Sequence, residues 1–90
     1  MELEHLPGAD LIEHGLHDLG RGVDSEAALL VSIGAPRLAR AGIVVPSPIH
    51  DPEHALYERL RRSDPRTAHS KYNALVRRLV SFERAIACAG

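Results

Sequence analysis

The 90-residue sequence has no tryptophan, one cysteine, one methionine and three aromatic residues, Tyr57, Tyr72 and Phe82. A lone Cys88 cannot close an internal disulfide, so burial and hydrogen bonding must hold the fold. No run of about 18 apolar residues occurs, and no membrane-spanning helix is expected. The opening stretch MELEHLPGAD is acidic and lacks an apolar segment, which argues against a secretory leader. Together these features make a reducing cytoplasm the expected location.

Recognisable chemistry is equally scarce. The sequence contains no GxSxG elbow, no glycine-rich phosphate loop, no CxxC pair and no ExxH pairs of the di-iron bundles. Cys88 falls near a helix end with no sequence sign of activation. No catalytic residue is therefore assigned, no cofactor is implied, and an enzyme is not expected.

What the chain does have is Ala, Leu, Ile and Val, within a hydrophobic share of 44%. That is ordinary for a globular protein and argues against disorder in the body of the chain. Ninety residues make one domain that buries roughly two-thirds of its unfolded surface. A single domain over 1–90 is expected, with 1–7 as a disordered lead-in.

Proline and glycine punctuate the sequence where helices start and stop. GADLIEHGLHDLGRG predicts a helix over about 9–20, with Ile12, Leu16 and Leu19 on one face. VDSEAALLVSIG predicts a second, with Asp24 as N-cap, Val23 stapled onto Ala28, and Gly34 as its end. APRLARAG predicts a short third helix opened by Pro36 and stopped by Gly42. IVVPSPI is an extended connector whose two prolines argue against a sheet. Asp51–Pro52 and Asp64–Pro65 each repeat the signal of a cap followed by a first-turn proline. The expected fold is all-α: a small bundle of four or five helices with a long C-terminal helix.

In that last helix Ala68, Tyr72, Leu75, Leu79, Phe82 and Ile86 follow the 4-3-4-3-4 spacing of a seam against a partner helix. Val76 and Val80 widen the apolar arc to roughly 160° at about 100° per residue. Two neighbours must share so wide an arc, and in so short a chain the second is expected to come from another copy. The residues expected at such an interface are Tyr72, Leu75, Val76, Leu79, Val80, Phe82, Glu83 and Ile86.

Glu83 is the anomaly, an acid inside the apolar arc with no basic residue three or four positions away. Burial without a partner would cost several kcal/mol. Either the seam opens to solvent there, or Arg37, Arg40 or His54 from another element pairs with it.

Net charge is −1, but residues 1–26 carry −6 and residues 59–84 carry +6. On the last helix Arg66, Arg77, Arg78 and Arg84 make a basic stripe that can follow a phosphate backbone. No aromatics interleave with them to stack on bases, so a solvated face balanced by the acidic first helix is preferred. SEAALLVSIGAPRLARAGI resembles a helix-turn-helix only loosely, since its second helix is barely two turns with two arginines.

Six histidines are a surplus. His14 and His17 share a helix face with Asp10, and His50 and His54 lie in HDPEHALYE with Glu53 and Glu58. Pro52 leaves His50 outside the helix, so the two-histidine zincin pattern fails, and these four residues are candidates only for a composite metal site. His69, Tyr72 and Asn73 in AHSKYN are expected to form a polar pocket or a buried hydrogen-bonded group. The function expected is a non-enzymatic interaction module that binds itself or another protein. A nucleic-acid accessory role through the arginine stripe is the alternative, and a histidine-based metal-binding protein the third.

Overall fold

The computed structural model describes residues 5–89. Five helices follow one another: α1 Ala9–Gly20, α2 Glu26–Ile33, α3 Ala35–Arg40, α4 Pro52–Ser63 and α5 Ala68–Ala89. No strand occurs among the described residues, in keeping with an all-α fold ending in a long helix. At 1.5 Å per residue α5 is about 33 Å long, close to the 38 Å longest dimension of the molecule.

The centre of the bundle is α2. Its sequence EAALLVSI has no polar face, and Ala27 to Ser32 are all buried. A helix apolar all round must be wrapped on all sides. Here α1 and α4 cover most of α2, and α3 and α5 the rest. Phe82, Ile12, Leu30, Leu38, Leu56, Leu60, Leu79 and Val31 fill the core, so every helix contributes at least one fully buried side chain.

Contact between α1 and α2 is unusually close at Gly15. A Cβ there would stand 2.3 Å from the Ala27 carbonyl oxygen and 2.8 Å from Val31 Cγ1, so only hydrogen fits. At the start of α1, Gly8 adopts φ +78 and backs onto the Arg78 carbonyl of α5. That conformation suits glycine, which has no Cβ to clash.

Two helices end in the same way. Gly22 has φ 73, and the Val23 N–H reaches the Asp18 carbonyl at 2.8 Å while Gly22 N–H reaches Leu19. Gly42 has φ 92, and Ile43 and Gly42 bond Leu38 and Ala39 in the same pattern. Both are glycine-terminated Schellman motifs, which satisfy the last carbonyls of the helix.

The caps differ from expectation. Ser25, not Asp24, is the N-cap of α2, its Oγ accepting from the Ala28 N–H at 3.1 Å. The Ser25 hydroxyl donates to Asp18 Oδ2 at 2.5 Å, so the end of α1 selects the neighbouring residue as cap. Val23 is exposed rather than stapled to Ala28. Asp51 occupies the N-cap position of α4 but makes no side-chain cap bond, because its backbone is left-handed. Asp64 closes α4 and accepts from the Arg66 N–H, and the chain turns through 65–67 before α5 starts at Ala68, three residues later than Pro65 would set it.

Within the chain, α4 and α2 pack against α5 and share its apolar arc. Leu79, Phe82 and Ile86 are buried. Leu6 also packs against the core, whereas the expected disorder of residues 1–4 lies outside the described residues.

Replacing Gly15 with alanine is expected to destabilise the fold by about 2 kcal/mol through overpacking. Gly20→Ala in the same helix meets nothing within 4 Å and should stabilise it by up to about 1 kcal/mol. Urea denaturation midpoints moving together in the two variants would show that the α1–α2 approach is not this tight.

Candidate functional site

The joint between α2 and α3 packs against α5 at Leu79 and Glu83. Gly34 makes this possible: a Cβ there would stand 2.8 Å from Leu79 Cδ1 and 2.9 Å from Glu83 Oε2. The close approach draws the anomalous acid under the α3 backbone. The Glu83 side chain keeps 10% of its exposure, while Arg37, its counter-ion from α3, keeps 66%.

Glu83 Oε1 lies 3.7 Å from Arg37 Nη1. This is an ion pair but too long for a hydrogen bond. Arg37 was one of three partners anticipated for this acid; neither Arg40 nor His54 forms a salt bridge with it. Oε2 is buried without a hydrogen-bond partner. Burial pushes the Glu83 carboxyl above its ordinary range, and the Arg37 guanidinium offsets this only in part.

Between α3 and α5 runs an open groove of about 740 Å³. Arg37, Arg40 and Ala41 form one wall, and Val80, Glu83, Arg84, Ile86 and Ala87 the other. Arg40 and Arg84 have no acidic partner among the described residues. The sequence names Arg37 and Arg40 as candidate partners of Glu83, but the groove they form with Arg84 depends on tertiary packing that no local pattern encodes.

Of the residues expected at an interface, Leu79, Phe82 and Ile86 face the chain's own core and are unavailable to a partner in this conformation. Tyr72, Leu75, Val76 and Val80 are half-buried. Tyr72, Val76 and Val80, four residues apart, form a row along one flank of α5. Tyr72 meets Tyr57 of α4 edge to face at 5.7 Å. Burial, then the nearby Glu53, pushes the Tyr72 hydroxyl up. Leu75 lies on the other shoulder, in a smaller groove of about 320 Å³ shared with Leu60, Lys71 and Arg78.

The expected pocket of His69, Tyr72 and Asn73 does not form. His69 and Asn73 are exposed, with Asn73 Nδ2 donating to His69 Nε2 at 3.2 Å, while Tyr72 turns toward α4. The arginine stripe is divided. Arg78 pairs with Asp10 of α1 at 3.2 Å, Arg66 stands 4.0 Å from Asp64, and Arg77 and Arg84 are exposed without such partners. The acidic and basic segments meet at the Asp10–Arg78 pair and again at Arg59, whose Nη1 donates to the Asp24 carbonyl at 3.0 Å.

His14 is largely exposed and reaches Asp18 Oδ2 at 3.1 Å. Asp18 is held below the ordinary carboxylate range, chiefly by the Ser25 hydrogen bond and then, against the opposing effect of burial, by His14. His17, His50 and His54 are exposed. Among the described residues no three His, Cys, Asp or Glu side chains converge in a metal-binding group, so the composite site is not assembled. No protein-family model, curated protein or solved structure matches the chain.

Removing the Glu83 charge as Glu83→Gln is expected to stabilise the protein at neutral pH by on the order of 1 kcal/mol, since the desolvated charge is incompletely paired. An acid whose folded pKa is raised holds its proton more tightly in the folded state. The penalty of its charge grows as pH rises through that folded value and vanishes below the unfolded one. The gap between variant and parent should therefore close on acidification, as read by thermal melts across the carboxylate range; a gap independent of pH would contradict it.

Proposed function

We propose that this protein is a small non-enzymatic interaction module that self-associates through one flank of α5. The supporting observation is the half-covered row of Tyr72, Val76 and Val80, which continues an otherwise buried seam toward solvent. Side chains four apart form a ridge, and two such ridges interdigitate when helices cross at about −50°. A two-fold axis beside Val76 sets each row against itself, the arrangement of an isologous dimer. The row is short, so the dimer belongs with the small, weak interfaces rather than the obligate ones. Among the described residues no helix is long and apolar enough to cross a membrane.

A nucleic-acid partner for the arginine stripe has less support, because Arg78 and Arg66 already face acids of the same chain. Light scattering at sub-millimolar concentration is expected to give a dimer mass for the parent and a monomer mass for Val76→Asp, with unchanged helicity. A monomeric parent removes the support for self-association.

A further inference from the structure

The α3–α5 groove gathers three guanidinium groups, Arg37, Arg40 and Arg84, around one acid. Like charges brought to one cleft repel one another and raise the local potential, more so between low-dielectric walls. Glu83 balances them poorly. Its Oε1 approaches only Arg37, and only at 3.7 Å, while Oε2 is turned away from any donor. Arg40 and Arg84 project from facing helices with their donor forks uncommitted. A guanidinium presents planar, paired N–H groups that match the oxygens of carboxylates and phosphates.

The remaining lining is aliphatic. Ala41 on the α3 side and Val80, Ile86 and Ala87 on α5 supply the walls. At about 740 Å³ the groove is within the size of a small-molecule site. Its combination of excess positive charge and hydrocarbon wall selects for a molecule that has both an anionic head and an apolar tail.

We propose that this groove binds a small amphipathic oxyanion, with the head on Arg37, Arg40 and Arg84 and a short aliphatic tail along Ala41, Val80 and Ala87. A carboxylate and a phosphate monoester share the head chemistry. In either case the ligand supplies the counter-charge that Glu83 provides only to Arg37. Glu83 itself competes with the ligand for that guanidinium and repels it, so its neutral form favours binding. Gly34, lacking a Cβ, leaves room for Glu83 Oε2 at the α2–α3 joint.

Isothermal titration calorimetry with octanoate, octyl phosphate, acetate and octylamine tests the assignment. Octanoate or octyl phosphate should bind saturably below its micelle-forming concentration, and the tighter of the two identifies the head. Arg40→Gln and Arg84→Gln, both at exposed positions, should each weaken that binding about tenfold, the scale of a lost charge-assisted hydrogen bond. Glu83→Gln should tighten it several-fold. The assignment is overturned if neither anion saturates, if octylamine binds as well as the anions, if acetate matches octanoate, or if the double variant Arg40→Gln, Arg84→Gln binds like the parent.

Discussion

Everything in this bundle is arranged around a helix that cannot touch water. α2 carries six consecutive buried residues and so needs a neighbour on every side. The approach of α1 to within hydrogen contact at Gly15 is how a short chain provides one. Bringing backbones this close shortens the interaxial distance and leaves no void to fill with side chains. It also frees α4 and α5 to cover the remaining faces, and in doing so they hide most of the apolar arc of α5.

Most of the fold was legible in the sequence because its signals are local. Glycine at the left-handed positions 22 and 42, and proline at 36 and 52, mark the helix boundaries by conformational preference alone. The caps were less legible, because Asp24 and Ser25 are both good cap residues and tertiary contact with Asp18 decides between them. Asp51 fails as a cap for a backbone reason that composition does not reveal. The periodicity of α5 marks a stripe but does not say whose side chains cover it.

Glu83 shows the same division. Its misfit with the arc is visible from spacing, and the lack of a partner in its own helix points to Arg37, Arg40 or His54, of which the structure brings Arg37 to it. The groove is not legible in the sequence, since the signals of Gly34, Arg40 and Arg84 are separate there and only the packing of the α2–α3 segment against α5 joins them. His69 and Asn73 were overread: one turn apart, they bond each other at the surface and enclose nothing.

The hydroxyl of Ser25 is held by α1 through Asp18 while it caps α2. Nucleating a helix is the costly step, and a pre-positioned cap lowers that cost. The hydroxyl that caps α2 is thus oriented by a carboxylate of α1, so the two helices are coupled at this corner and loss of either partner is felt by both.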